Sequence, residues 1–401
     1  MTAEREFAES VCKRLREAGN EAVFAGGCVR DLLRGVEPSD YDVATDATPD
    51  RVRELFGRKR TLAVGEAFGV IIVLGRRPPG GGPPTQVEVA TFRTEGDYRD
   101  GRRPGSVAFC TAEEDARRRD FTINGLFLDP AVGEVLDYVG GRADLGAGVV
   151  RAIGVADDRF AEDRLRMLRA VRFAARFGFR LDNETAAAVR RHAKALRVVS
   201  RERVAQELSK MLTHPSRAAA VVSLVDLGLW PATIPEAGPP SDAALRRLEQ
   251  LDGPSVSAAL ATLLSGEPAE TVDATCRGLK LSNAVVGDAA WLAERCGLLS
   301  RWSELSLAER KRTLADPRSE SLIAIERAGG ECEGVEAAAA YKAATPEDVL
   351  DPPPLLTGGD LKMAGLQPSP KFKQMLEAVR AAQLNEEIAT RDEALRLLGL
   401  S

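Results

Sequence analysis

The chain has 401 residues, of which 29% are charged and 44% hydrophobic, and its formal net charge is −5. That is the profile of a soluble globular protein long enough for two or more domains, and it has no run approaching the ~20 apolar residues needed to cross a bilayer. Six cysteines, at 12, 28, 110, 276, 296 and 332, form no C-x-x-C pair, which argues against a zinc knuckle or a disulfide framework. Two histidines, His192 and His214, are too few for a His/Asp metal-dependent phosphohydrolase. Residues 1–20 read as a charged amphipathic helix and not as a signal peptide, so a cytoplasmic location is expected.

In chain order, Glu21 to Ala25 reads as a short buried strand entering the turn Gly26-Gly27, and Val29 to Arg34 as the start of a helix. Glycines there let the backbone approach a triphosphate. The pair is neither a dinucleotide fingerprint, since G-x-G-x-x-G spacing is missing, nor a P-loop, since no Gly-Lys-Ser/Thr follows. Asp40 and Asp42 come next. On a strand, carboxylates two residues apart point to one face and can share divalent metal ions; the plain alternative is a solvated turn. A Thr-Pro-capped helix over 49–56 and an apolar strand over 70–74 follow. The Pro/Gly run at 76–84 reads as a hairpin connection. In the next strand, over 86–93, alternation sends Glu88 to the face opposite its Val neighbours, where it could join the Asp pair. Polar residues 94–105 read as a mobile loop. Arg117 to Gly125 reads as a basic helix start, and Leu126 to Leu128 as a strand. Arg30 and Arg119 are candidates to hold a triphosphate, because guanidinium matches phosphate oxygens bidentately.

From Asp157 onward helical periodicity runs to the end, broken near Gly178, Pro215, Pro231, Pro254 and Pro352 to Pro354. The fold class expected is therefore α+β: a small mixed sheet with helices, then an all-helical body. Charge is segregated, since residues 157–217 hold 15 Lys and Arg against 8 Asp and Glu inside an acidic chain. Such a stretch suits a polyanion, although a solvated helix face has the same look. Within it, Arg166, Arg169, Arg172 and Arg176 fall on one side of a predicted helix beside an apolar stripe of Leu165, Leu168, Val171 and Ala175. Asp163 and Arg166, three apart on that helix, could read a nucleobase edge through acceptor and donor groups. The bland alternative is an ordinary i,i+3 salt bridge.

Together, Gly26-Gly27-x-Val29-Arg30-Asp31, Asp40-x-Asp42, Glu88-x-x-Thr91-Phe92-Arg93, Arg118-Arg119-Asp120-Phe121-Thr122-Ile123-Asn124 and Glu162-Asp163-x-x-Arg166-x-x-Arg169 resemble the class II tRNA nucleotidyltransferase and bacterial poly(A) polymerase family. These are polymerase-β-like nucleotidyltransferases. The resemblance implies a catalytic head (1–150), a neck that binds the nucleotide base and RNA backbone (151–217), a body (218–345) and a tail in contact with tRNA (346–401). It implies CTP and ATP as substrates, the 3′ end of tRNA as acceptor, and Mg²⁺ as cofactor. By the same resemblance Asp40 and Asp42 would hold metal, with Glu88 as a third carboxylate. Gly27 and Arg30 would contact the triphosphate, with Gly26 also among the nucleotide-binding residues, and Arg119, Asp163, Arg166, Arg169 and Arg172 would line the nucleotide pocket, Asp163 and Arg166 choosing C or A. The segment 95–104 resembles the flexible loop of A-incorporating members, and Pro368-Ser369-Pro370 stands where the family's tail has a Pro-Gly-Pro turn. The expected function is template-independent addition of C, C and A to tRNA; the same-class rival is A-only or poly(A) addition. Nothing in the sequence indicates an oligomeric state.

Overall fold

A computed structural model describes residues 2–63, 69–77, 81–95, 107–330, 332–367 and 369–400. The chain divides into two compact units: residues 1–211 with 219–233, and residues 212–218 with 234–401.

The first unit opens with helix α1, Ala3–Glu17, whose N-cap Thr2 accepts from the N–H of Arg5. Strand β1, Ala22–Ala25, is buried along its whole length and runs into α2, Gly27–Leu33, which starts two residues before the helix read from the sequence. Strand β2, Asp42–Thr45, leads to α3, Pro49–Phe56, with Thr48 as N-cap and Pro49 in the first turn. Strands β3, Thr61–Ala63, β4, Val70–Leu74, and β5, Gln86–Thr91, follow, with the N–H of Gly75 donating to Thr85 O where the last two converge. The strand expected over 86–93 is divided: β5 stops at Thr91 and β6, Arg93–Glu95, pairs instead with β7, Val107–Phe109. Most of the loop expected at 94–105 lies outside the described residues.

Residues 117 and 118 close a helix where the sequence suggested a start. Helix α4, Ala112–Arg118, begins with a Thr111/Glu114 capping box, so Arg117 and Arg118 sit in its last turn, where cations complement the helix dipole. Strands β8, Leu126–Leu128, and β9, Val135–Asp137, complete a seven-stranded sheet in the order β3-β4-β5-β2-β1-β8-β9. Its one parallel pair is β2 with β5, which sets Asp42 opposite Glu88.

Alternation along β1 and β2 gives the sheet two different faces. Phe24 and Val43 join Val11, Leu15 and Val52 of α1 and α3 in one core, while Val23, Ala25 and Ala44 join Ala112 and Ala116 of α4 in a second. Asp42 shares the face of Ala44 and so points toward the α4 side.

Helix α5, Gly141–Gly146, and a two-stranded parallel ribbon, β10, Val149–Val150, with β11, Arg180–Leu181, lead into the helical part of this unit. Helix α6, Ala156–Glu162, and α7, Arg166–Phe177, are separate. The single helix read across 162–172 is thus broken at Asp163, whose backbone is extended at φ −142°, ψ 106°. Its side chain accepts from the N–H of Leu165 and so starts the next turn. Helices α8, Asn183–His192, and α9, Arg201–Leu212, follow.

In the second unit the described residues are helical, with an isolated bridge between Ser265 and Glu267. One apolar cluster centres on Leu292, Leu299, Trp302 and Leu322, and another on Leu356, Leu361, Val379 and Ala394. No helix among the described residues is long and apolar enough to cross a membrane.

Candidate active site

The sheet's α4 side and helices α2, α7 and α9 enclose a cavity of about 920 Å³ within the first unit. Gly26, Gly27, Arg30, Asp40, Asp42, Arg119, Asp163, Arg166, Arg169 and Arg172 all line it, so all the expected site residues except Glu88 meet there.

At one end stand the carboxylates. Tyr41 is fully buried, its ring 5.1 Å from Phe24 and its hydroxyl donating to Glu37 at 2.9 Å. The aspartates flanking it are thereby turned outward into the cavity. Strand pairing begins only at Asp42, and Asp40 precedes it as an exposed residue accepting from the Ser39 hydroxyl at 2.9 Å. Glu88 is exposed and does not line the cavity, but its register places it beside Asp42 on the same sheet face. Burial, then Glu88 and Asp40, push the Asp42 carboxyl up to about 6, against the pull of Arg119.

At the other end stand the arginines, and the described structure gives most of them a carboxylate. Arg169 meets Asp120 at 2.6 Å and Arg172 meets Glu207 at 2.6 Å. Arg166 meets Glu162 at 2.5 Å and also donates to the carbonyls of Arg159 and Arg118. Asp163 is gripped by Arg203 of α9, at 2.7 and 3.2 Å, and not by Arg166. The expected Asp163/Arg166 pair therefore does not form: the break after Glu162 removes the i,i+3 relation that would have joined them. Both still line the cavity with hydrogen-bonding capacity left over. By inventory, Asp163 keeps a lone pair on Oδ2, and Arg166 keeps its Nε–H and one Nη2–H.

Arg119 is positioned from three sides. Asp115 takes its Nε and Nη2 at 3.1 and 3.0 Å, the carbonyl of Asn124 takes Nη1 at 3.2 Å, and the ring of Phe127 lies 4.8 Å away. Its Nη1 also stands 2.8 Å from where a Cβ on Gly26 would be, and Gly26 has φ +73°. A side chain there would be strained and would displace the guanidinium. Arg30 is likewise fixed, by Asp31 at 2.9 and 3.0 Å and by the Asn124 side-chain oxygen at 2.7 Å, over the ring of Phe177.

Burial alone would raise the Asp115 and Asp120 carboxyls. Arg119 and Arg118 beside the first, and Arg169 and Asn124 beside the second, hold both below the ordinary carboxylate range. Arg172 is pushed down by burial in spite of Glu207, while Asp120 holds Arg169 up.

Reading the sequence missed the counter-charges: Asp115, Asp120, Glu162, Arg203 and Glu207. Arg203 and Glu207 are four apart on α9, a spacing visible in the sequence but indistinguishable there from a local surface pair.

The carboxylate end has the chemistry of a hard-cation site. Asp40 and Asp42 offer oxygen donors, and the crowding that resists ionisation of Asp42 is what a divalent ion relieves. Among the described residues no three His, Cys, Asp or Glu side chains converge on one point.

Residues 22–151 match the family model of the poly A polymerase head domain, and residues 178–238 that of the probable RNA and SrmB-binding site of polymerase A. The chain is 34% identical over 408 residues to the CCA-adding enzyme of Lactiplantibacillus plantarum, an alignment covering 98% of this chain and 96% of that one. With the CCA-adding enzyme of Bacillus subtilis identity is 45% over 221 residues, 55% of this chain and 53% of the relative. The crystal structure of the Bacillus stearothermophilus CCA-adding enzyme in complex with CTP superposes with TM-score 0.81 at 29% identity, covering all of this chain and 98% of that one. The Thermotoga maritima enzyme complexed with tRNA shares the fold at TM-score 0.67 and 20% identity. The chain belongs to the family of CCA-adding enzymes.

Proposed function

We propose that the chain builds the 3′ end of tRNA by adding C, C and A from CTP and ATP, without a template strand and with release of pyrophosphate. One observation supports this above the others: the paired carboxylates Asp40 and Asp42 and the hydrogen-bonding groups of Asp163 and Arg166 line one and the same cavity. The carboxylates suit phosphoryl chemistry, and the groups of Asp163 and Arg166 can read one base edge.

In this reading Asp40 and Asp42 hold Mg²⁺, and Glu88 acts on Asp42 from the neighbouring strand. Mg²⁺ held there would supply Lewis acidity toward the RNA 3′-hydroxyl and counter-charge for the triphosphate and the pyrophosphate. Gly26 and Gly27 bring bare backbone to the cavity wall. Arg119 and Arg30, already fixed by Asp115, Asp31 and Asn124, take the phosphate oxygens with little ordering cost. Asp163 accepts from the exocyclic amine of C or A, and Arg166 donates to a ring acceptor. Arg169 and Arg172, neutralised by Asp120 and Glu207, shape the pocket without attracting a further anion. The domain assignment is a head over 1–150, a neck over 151–217, a body over 218–345 and a tail over 346–401. The location is the cytoplasm.

The test uses a tRNA truncated after its discriminator base, Mg²⁺, and CTP and ATP alone or mixed, with products resolved at single-nucleotide length. C, C, A and a stop is the expected ladder. A-only products or long A tails would reassign the chain to A addition. Withdrawing Mg²⁺ with a chelator should stop incorporation, and restoring it should recover the ladder.

A further inference from the structure

A second, smaller cavity of about 460 Å³ lies in the same unit, lined by Leu33, Arg34, Arg142, Leu145, Gly146 and Phe179. Its charge differs from that of the main cavity. No acidic side chain lines it, and among the described residues neither Arg34 nor Arg142 has a carboxylate partner. Asp137, the carboxylate bonded to this segment, is occupied by the N–H groups of Val139, Gly141 and Arg142. A further pocket on this unit, with Arg151 and Arg191, has those cations answered by Asp157 and Asp182.

The apolar part of the wall is also unusual. Leu33 is 40% exposed, and Phe179 stands beside it, tilted against Phe177 at 5.6 Å between centroids. Phe177 in turn stacks on Phe173, nearly parallel at 5.9 Å. This row of rings joins the two cavities. Arg30, from the main cavity, and Arg34, from the smaller one, lie 4.5 and 4.6 Å from the centre of the same Phe177 ring. Their guanidinium groups are therefore no more than about 9 Å apart. That is comparable to the reach between neighbouring phosphates along one strand. Four of the six lining residues are exposed, so the cavity is an open trough where a strand can lie, not a closed socket for a small molecule.

We propose that this trough is an RNA subsite beside the triphosphate site, holding a backbone phosphate on Arg34 and Arg142 and packing that nucleotide's sugar or base against Phe179 and Leu33. Guanidinium groups without carboxylate partners next to a half-buried ring are the combination that grips single strands without reading sequence. The subsite rests on the reading that the main cavity acts on an RNA 3′ end.

Arg142→Gln is the decisive variant, because Arg142 is exposed and lies outside the main cavity. The probe is the truncated tRNA, with binding followed by fluorescence anisotropy across a salt series. Arg142→Gln should weaken tRNA binding about five- to tenfold and reduce the log–log salt slope by about 0.7 to 0.9, one phosphate contact. KM for CTP should not move. Phe179→Leu, checked by thermal melting because the ring also packs on Phe177, should weaken binding about tenfold with the salt slope unchanged. Unaltered affinity and slope in Arg142→Gln would overturn the subsite, as would a raised KM for CTP with unchanged tRNA binding, which would mark a free-nucleotide site. A wild-type protein that binds tRNA but extends nothing would defeat the activity proposed above while leaving this binding test intact.

Discussion

The two ends of the main cavity handle buried charge in opposite ways. At the β2/β5 end Asp42 has like charges for neighbours, Glu88 in register beside it and Asp40 before it, with Arg119 as the compensating cation. At the α7 end three of the four guanidinium groups are already matched, Arg166 by Glu162, Arg169 by Asp120 and Arg172 by Glu207, while Arg176 lies over the ring of Phe177. The first arrangement is unfinished without a cation; the second is finished without a ligand. A count of arginines would make α7 the anion site, whereas pairing of three of its four makes the stretch from Arg166 to Arg172 a stiff, nearly neutral wall suited to the edge of an uncharged base.

This contrast can be broken at either end. The largest effect belongs to Asp42→Ala, which should cut single-nucleotide incorporation by about three orders of magnitude, the several kcal/mol expected of lost metal-assisted charge stabilisation. Binding of tRNA should stay within about threefold, and surviving turnover would remove Asp42 from the metal site. Glu207→Ala should come next, leaving Arg172 buried and unpaired at a cost of about 3–5 kcal/mol, read as the unfolding free energy of the first unit in urea. A near-neutral result would show that Arg172 finds water, and that this wall is not prepaired.

Arg203→Gln frees Asp163 from its clamp without touching the bond to Leu165. It should lower kcat/KM for CTP about 10- to 100-fold and relax base choice, while KM for tRNA holds. Unchanged fidelity would mean that Asp163 needs no positioning. The smallest effect is on stability. Because the folded carboxyl of Asp42 titrates near 6, above its ordinary value, the folded protein binds the extra proton between about pH 4 and 6, and stability falls as pH rises through that window. Asp42→Asn removes the penalty, so it should melt about 1–3 °C higher than wild type at pH 8 and no higher at pH 4. A constant difference across pH would place the cause outside this titration.

Much of the frame was legible in the sequence because it depends on local rules. The buried strand before Gly26-Gly27, the Thr-Pro cap of α3, and the outward turn of Glu88 between Val87 and Val89 follow from short-range pattern. The break at Asp163 was not legible, because the Leu and Arg periodicity runs through 162–172 with no Gly or Pro to interrupt it. Its cause is a single side chain folding back on the N–H of Leu165. The basic excess of 157–217 likewise reads as an open polyanion surface only until the partners are known. Asp120 answers Arg169 from another element, 49 positions away, and α9 supplies Glu207 to Arg172 and Arg203 to Asp163. Arg34 and Arg142, which have no carboxylate partner among the described residues, belong to no motif in the sequence and are brought together by the fold.

The pairing of β2 with β5 has a consequence for how errors in this protein would show. A slip of β5 by one position would put Val87 or Val89 beside Asp42 in place of Glu88. Both cores would notice, but so would the acidity of one carboxyl. A slipped β5 would take away the like charge of Glu88 that helps hold the Asp42 carboxyl up, so in the metal-free protein that carboxyl is the group in which strand alignment is felt as acidity.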